Sequence, residues 1–204
     1  MKKITLLTTC LFLITGAAFA QWSQVGYMIV NGTDTVPDCH GFKSYGSNVY
    51  CPTDSGLFVS ADNGNSWQNI TDNKPATDMQ RMNCVHVAAN GDIYAGSTMR
   101  LFKSTDNGGT WTWLNTLPDS TQLYDITEMG GNILVSFNKG AASGVYYSSD
   151  AGSSWTLATG ISSADRYFLA EAGTVFLGGT ANGVYKSTDN GHTWILSGSG
   201  FPTL

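Results

Sequence analysis

The chain has 204 residues, of which 12% are charged and 24 are glycine, and its formal net charge is −5. Average domains contain roughly 25% charged residues and about 7% glycine, so this composition predicts a fold with many tight turns. An acidic chain lacks the basic surface that binds nucleic acids and anionic membranes. We therefore expect neither as a partner.

Residues 1–20 have the pattern of a secretory signal peptide. Lys2 and Lys3 precede an apolar stretch over residues 4–14, and Ala18-Phe19-Ala20 forms a small-x-small cleavage site. The apolar stretch is too short to span a bilayer. We therefore expect a secreted, periplasmic or extracellular protein that begins at Gln21 and does not insert into a membrane.

Three cysteines follow this segment: Cys39, Cys51 and Cys84. In an oxidising compartment, one disulfide and one free thiol is the simplest arrangement. Three buried, reduced cysteines fit the sequence equally well. Neither the cysteines nor the three histidines have the spacing of a metal site, so we predict no metal and no cofactor.

Four segments share the pattern S-x-D-x-G-x-[ST]-W, and their aspartates are 44, 44 and 39 residues apart. Such a pattern at near-constant spacing indicates four copies of one structural unit. The repeated residues are Asp62, Gly64, Trp67, Asp106, Gly108, Trp111, Asp150, Gly152, Trp155, Asp189, Gly191 and Trp194.

Each segment follows three short stretches of strand-like alternation and opens a fourth, as over residues 41–45, 48–52, 56–60 and 67–70. Four antiparallel strands in about 40–45 residues form one propeller blade. We predict an all-β propeller with at least four four-stranded blades, over residues 40–71, 83–115, 123–158 and 165–197. These blades form an incomplete ring, and residues 21–26 are a candidate closing strand.

The chemistry of the repeated segment fits a hairpin turn between the third and fourth strands of a blade. An aspartate accepts backbone N–H groups within such a turn, and glycine adopts the positive φ that other residues resist. The tryptophan then buries a large ring against the blade. We therefore interpret the segment as structural rather than catalytic.

The pattern S-x-D-x-G-x-[ST]-W resembles the Asp-box, or BNR, repeat. That repeat occurs in sialidases, sortilin-type receptor domains, xyloglucan-cleaving glycosidases and assembly factors of the photosystem II stability type. The resemblance covers essentially all of residues 21–204, and it implies a propeller with its Asp-boxes on the rim, away from active centres. It leaves the function open, because one fold supports many functions.

Candidate binding residues lie at the end of the blades opposite the repeated turns. The only arginines, Arg81, Arg100 and Arg166, fall on or beside that face, as does Asp54. Sialidases bind the substrate carboxylate with three arginines, because guanidinium groups bind carboxylates bidentately. However, the Arg-Ile-Pro motif that the resemblance implies near the first blade is absent, and no tyrosine–glutamate nucleophile pair can be assigned.

A glycosidase of another type needs two carboxylates about 5–10 Å apart, and the sequence assigns no such pair. We therefore predict a secreted, non-catalytic binding or scaffold module that presents its loops to a protein or glycan partner. The alternative is a portion of a carbohydrate-active hydrolase, sialidase-like or of another glycoside hydrolase type.

Overall fold

The computed structural model describes residues 28–30, 33–35, 37–72, 79, 81–117, 122–138, 143–161, 168–173, 175–180 and 183–197. The predicted signal peptide, the candidate closing strand and Arg166 lie outside the described residues. Two short strands, β1 (Met28–Val30) and β2 (Thr33–Thr35), form an antiparallel hairpin that the sequence analysis did not predict.

The other described strands form four four-stranded antiparallel sheets, which confirms the predicted all-β fold. We call these sheets blades 1 to 4. Blade 1 contains β3 (Lys43–Tyr45), β4 (Asn48–Thr53), β5 (Gly56–Ser60) and β6 (Gln68–Asn69). Blade 2 contains β7 (Met82–Val87), β8 (Ile93–Ser97), β9 (Leu101–Ser104) and β10 (Thr112–Trp113). Blade 3 contains β11 (Leu123–Met129), β12 (Asn132–Phe137), β13 (Gly144–Ser148) and β14 (Thr156–Leu157). Blade 4 contains β15 (Phe168–Ala172), β16 (Val175–Thr180), β17 (Gly183–Ser187) and β18 (Ile195–Leu196).

Three hydrophobic clusters of the described residues lie between consecutive blades, and a fourth lies on the other side of blade 1. In β8, Ile93 and Ala95 pack in the cluster shared with blade 1, whereas Tyr94 packs in the cluster shared with blade 3. Successive side chains of a strand point to opposite faces of the sheet. A blade between two others therefore buries both faces, and all five residues of β8 are buried.

The described blades do not form a closed ring. Among the described residues, hydrophobic clusters join blades 1 and 2, 2 and 3, and 3 and 4, but none joins blade 4 to blade 1. In blade 3, Leu134 and Val145 are fully buried in the cluster shared with blade 4. In blade 4, Phe168 is 66% and Ile195 is 61% exposed. The predicted incomplete ring therefore agrees with the described structure.

Each repeated segment forms a tight turn between the third and fourth strands of its blade; we call these four segments the motif turns. In blade 2, the Ser104 hydroxyl accepts the Gly108 N–H at 2.9 Å and donates to Asp106 Oδ1 at 2.8 Å. Asp106 also accepts the Thr110 N–H at 2.8 Å and the Thr110 hydroxyl at 2.7 Å. The other three motif turns repeat this network.

Two consecutive residues of each motif turn have positive φ. The motif glycines have φ between 85° and 94°, as the sequence predicted. The preceding residue is also left-handed: Asn63, Asn107 and Asn190 have φ of 58°, 56° and 58°, and Ala151 has φ of 57°. Asparagine tolerates this conformation better than alanine does. Blade 3 therefore carries a strained residue at a position where the other blades carry asparagine.

Replacing the strained residue should stabilise the protein. We expect Ala151→Asn to raise the free energy of unfolding by about 0.5–1 kcal/mol, because asparagine enters the left-handed region more readily. The reverse change in blade 2, Asn107→Ala, should lower it by a similar amount. Urea unfolding of the three proteins measures both effects, and an Ala151→Asn variant no more stable than the parent would contradict this account.

The motif aspartates are strongly acidic. Hydrogen bonds lower the pKa of Asp62, Asp106 and Asp150 to about 2, with donors from Ser66, Thr110 and Ser154 respectively. At Asp189 burial opposes the shift, but hydrogen bonds from Thr193 outweigh it and the pKa is also about 2. Folding therefore stabilises the ionised form of each carboxyl group, whose pKa in the unfolded chain is about 4.

This difference predicts a loss of stability in acid. Because the folded pKa lies below the unfolded pKa, the stabilisation is complete above about pH 4 and disappears as the pH falls towards 2. The melting temperature should fall through this window, and Asp106→Asn should lower it at pH 7 and weaken its dependence on acid. Asp38→Asn, at an exposed residue outside the motif turns, is the control. A melting temperature that is constant from pH 4 to pH 2 would refute the prediction.

Candidate functional site

The two ends of the blades carry different structures. The turns between the first and second strands lie at the same end as the motif turns, because the strands of each blade are antiparallel. The opposite end, which we call the mouth face, contains the starts of the innermost strands β3, β7, β11 and β15. Loops between the second and third strands also lie there. These are the loops in which the sequence predicted a binding site.

A shallow cavity of about 120 Å³ opens on the mouth face, where residues from all four blades meet. Its lining includes His40, Phe42, Asn83, Tyr124, Asp125 and Phe168. Sites that enclose small molecules usually measure about 300–1,000 Å³. The cavity is therefore too small to surround such a ligand, and it suits contact with part of a larger partner.

Two β-bulges supply residues to this cavity. The pairing register shifts between Met82 and Cys84 in β7, and between Leu123 and Asp125 in β11. Asn83 and Tyr124 are the extra residues at these bulges, and both line the cavity. The Asn83 side-chain amide donates to the Leu123 carbonyl at 3.2 Å, which joins blade 2 to blade 3. Bulges often occur beside functional sites, because they redirect side chains.

Three polar side chains form a cluster at the edge of the cavity, which we call the charged rim: His40, Asp54 and Arg81. Asp54 Oδ1 lies 3.3 Å from His40 Nε2 and 3.7 Å from Arg81 Nε. His40 Nδ1 donates to the Met82 carbonyl at 2.6 Å, which orients the ring. The Arg81 side chain is 68% exposed. Exposed ion pairs contribute little to stability, so the charged rim can exchange these contacts for contacts with a partner.

The four predicted binding residues have different environments. Arg81 and Asp54 lie together in the charged rim. The Arg100 guanidinium lies 4.2 Å from the centre of the Trp113 ring, on the outermost strand of blade 2. Arg166 is outside the described residues. The described residues therefore contain no three-arginine arrangement, and a binding role for these residues stays a prediction.

Asp125 is a cavity residue that the sequence analysis did not select. Its Oδ2 accepts the Leu169 N–H of blade 4 at 2.7 Å, and its Oδ1 accepts the Ile126 N–H at 2.8 Å. Burial raises the pKa of Asp125, although these two hydrogen bonds oppose the shift. A carboxylate within the mostly apolar strand Leu123–Met129 was the available signal. Through its hydrogen bond to the Leu169 N–H, Asp125 connects blades 3 and 4.

The two glutamates lie at the other end of the innermost strands. There, a cavity of about 390 Å³ is lined by residues that include Lys43, Tyr45, His86, Glu128 and Glu171. Glu128 Oε2 accepts the Ala89 N–H at 2.7 Å and lies 3.7 Å from His86 Nε2. Burial, with a smaller effect from Lys43, lowers the pKa of His86 to about 4. Its imidazole is therefore neutral at pH 7, and these glutamates are remote from the charged rim.

The described part of the chain contains neither a candidate metal site nor a candidate membrane-spanning helix. No three histidine, cysteine, aspartate or glutamate side chains in the described ranges are grouped so that they could hold a metal ion. No helix within those ranges is long and apolar enough to cross a membrane.

Solved structures with a similar fold are much longer than this chain. An ancestral GH74 enzyme matches 81% of the chain with a TM-score of 0.67 and 21% identity, over 24% of its own length. The extracellular domain of a candidate one component system from B. thetaiotaomicron matches 89%, with a TM-score of 0.67 and 13% identity, over 24% of its length. The GH74 xyloglucanase from Xanthomonas campestris matches 73%, with a TM-score of 0.57 and 18% identity, over 28% of its length. At these identities the similarity shows the fold alone, and the chain spans about a quarter of the length of each structure.

Curated proteins give no significant match to the chain. A family model matches residues 65–203, from the motif turn of blade 1 to beyond the last described strand. The matched residues form most of the chain, and the four blades described above agree with a propeller. The chain therefore belongs to the DUF6242 beta propeller domain family.

Proposed function

We propose that this protein is a secreted, non-catalytic propeller module that binds a neutral glycan chain at its mouth face. The observation that carries the proposal is the charged rim, which lies beside the exposed ring of Phe42. Phe42 is 64% exposed and lines the same cavity as His40. An exposed aromatic ring can stack on the apolar face of a sugar, and nearby polar groups can bind its hydroxyls.

The charged rim offers both kinds of hydrogen-bonding group that a sugar needs. Asp54 supplies acceptor oxygens, whereas Arg81 supplies guanidinium donors in a planar fork. The opposite charges of Asp54 and Arg81 cancel, so the rim carries little net charge. A neutral partner fits such a site better than an acidic one, especially on a chain with a net charge of −5.

The contacts of the nearby carboxylates favour a binding role over hydrolysis. A glycoside hydrolase needs one carboxyl group to donate a proton and a second to act as nucleophile or base. Both oxygens of Asp125 accept backbone N–H groups, and Asp54 contacts His40 and Arg81. A sialidase-like or other hydrolase remains the alternative, and the experiment below distinguishes it.

Two further features belong to the same proposal. Residues 1–20 act as a signal peptide, and the extracellular location of the similar B. thetaiotaomicron domain supports this assignment. The motif turns are Asp-boxes whose role is structural, because the side-chain hydrogen bonds of their aspartates are confined to the turn. Neither feature supplies a catalytic group.

The proposal predicts that binding depends on the mouth face. We suggest affinity electrophoresis of the full chain through xyloglucan and other soluble neutral polysaccharides, with the release of reducing ends measured in parallel. Arg81→Ala and Phe42→Ala should each weaken binding about tenfold, the loss expected when an important contact is truncated. Binding should be insensitive to salt, because no charged polymer is involved.

Arg100→Ala is the matched control, since its guanidinium contacts Trp113 on the outermost strand of blade 2 and does not line the cavity. This variant should bind like the parent. Failure to bind any neutral glycan would contradict the proposal, as would Arg81→Ala and Phe42→Ala variants that bind as tightly as the parent. Release of reducing ends that Asp54→Asn abolishes would establish the hydrolase instead.

A further inference from the structure

The segment before blade 1 pairs with the second strand of that blade. Cys39 is paired with Thr53 in an antiparallel bridge. On either side, the His40 N–H donates to the Pro52 carbonyl at 2.9 Å, and the Asp54 N–H donates to the Asp38 carbonyl at 3.3 Å. Residues 38–40 therefore form a short extended segment that pairs with the end of β4.

This pairing brings two cysteines together. Cys51 and Thr53 are two residues apart in β4, so their side chains share a face of the sheet. Cys39, which lies opposite Thr53, projects from the same face and is a diagonal neighbour of Cys51.

We propose that Cys39 and Cys51 form a disulfide bond that attaches residues 38–40 to blade 1. Cys84 cannot take part, because it packs in the cluster between blades 2 and 3. Cys51 packs with Phe58 and Trp67 instead, in a separate cluster on the other side of blade 1. Of the two alternatives that the sequence left open, the geometry selects one disulfide and one free thiol.

The reaction requires a disulfide donor, such as oxidised glutathione or an exported thiol oxidase. Cys39 is exposed, so its thiolate attacks the donor and releases one donor thiol, leaving a mixed disulfide on Cys39. The Cys51 sulfur then loses its proton, attacks Cys39 and releases the second donor thiol. Two protein thiols are oxidised by two electrons, and the donor disulfide is reduced to two thiols.

The second step should be slow and should accelerate with pH. Burial raises the pKa of the Cys51 thiol. Because the thiolate is the nucleophile, few molecules are reactive at neutral pH. The mixed disulfide on Cys39 should therefore accumulate before the bond closes.

The bond would also fix part of the candidate site. His40 follows Cys39 directly, and Asp54 follows Thr53 directly. Attaching this segment to β4 holds the His40 ring beside Asp54, where the two side chains are 3.3 Å apart. The inference relies on the proposed extracellular location for its oxidant, but it does not depend on glycan binding.

Peptide mapping tests the bond, because trypsin separates the three cysteines. Cys39 lies in the peptide that ends at Lys43, Cys51 lies in residues 44–81, and Cys84 lies in residues 82–100. The purified chain from Gln21 onward, which lacks Cys10 of the predicted signal peptide, is incubated with oxidised glutathione or with dithiothreitol, alkylated in denaturant and digested. After oxidation, the first two peptides should be cross-linked with a mass about 2 Da below their sum, because two hydrogens are lost. The peptide with Cys84 should carry the alkyl label.

Cys39→Ser should abolish the cross-link with little effect on folding, because its side chain is exposed, and Cys84→Ser should leave it intact. Labelling of all three cysteines after oxidation, a cross-link to the Cys84 peptide, or a cross-link that persists in Cys39→Ser would overturn the inference. A cross-link that forms in vitro but is absent from protein isolated from cells would contradict the extracellular location alone.

Discussion

The structure depends on the close packing of the preceding blade against the motif turns of blades 2, 3 and 4. The motif glycine has a positive φ that completes the turn, and its missing side chain leaves space for an apolar group. A Cβ at Gly108 would lie 2.8 Å from an Ile70 side-chain atom of blade 1. At Gly152 it would lie 2.5 Å from Leu114 of blade 2, and at Gly191 2.3 Å from Leu134 of blade 3. One residue therefore serves both the hairpin and the contact between blades.

The tryptophan of the motif strengthens the same contact. Trp111 Nε1 donates to the Ile70 carbonyl at 3.1 Å, and the ring packs against the cluster between blades 1 and 2. Trp194 is 2% exposed and packs against blade 3. A motif that begins as a local turn thus determines the spacing of the blades. That spacing brings the innermost strands together, and their starts build the mouth face.

The repeat made most of the fold predictable. Serine, aspartate, glycine and tryptophan at fixed spacing define the hairpin locally, so the third strand of blade 1 begins and ends where the sequence predicted, at 56–60. The third strands of blades 3 and 4 occupy the equivalent positions before their motif turns, at 144–148 and 183–187. The bulges at Asn83 and Tyr124 were not predicted, because the register of an innermost strand depends on its pairing partner. The hairpin of β1 and β2 was missed because it lies outside the repeat.

The candidate site was less predictable than the fold. The sequence placed Arg81 and Asp54 on one face, but their contact with each other and with His40 depends on the packing of blades 1 and 2. Asp125 was overlooked because its partner, the Leu169 N–H, belongs to another blade. Arg100 was selected for its position along the chain, whereas its contact with Trp113 depends on the pairing of β9 with β10.

The most direct test of the account compares alanine at two glycines with nearly equal φ. Gly108 has φ of 87°, and the Ile70 side chain packs against it. Gly131 has φ of 82°, but a Cβ added there would meet no atom within 4 Å apart from its chain neighbours. Both substitutions add backbone strain, but only Gly108→Ala also forces two blades apart. We expect its free energy of unfolding, measured in urea, to fall about 1–3 kcal/mol further than that of Gly131→Ala, which is the usual cost of overpacking. Equal losses for the two variants would contradict the account.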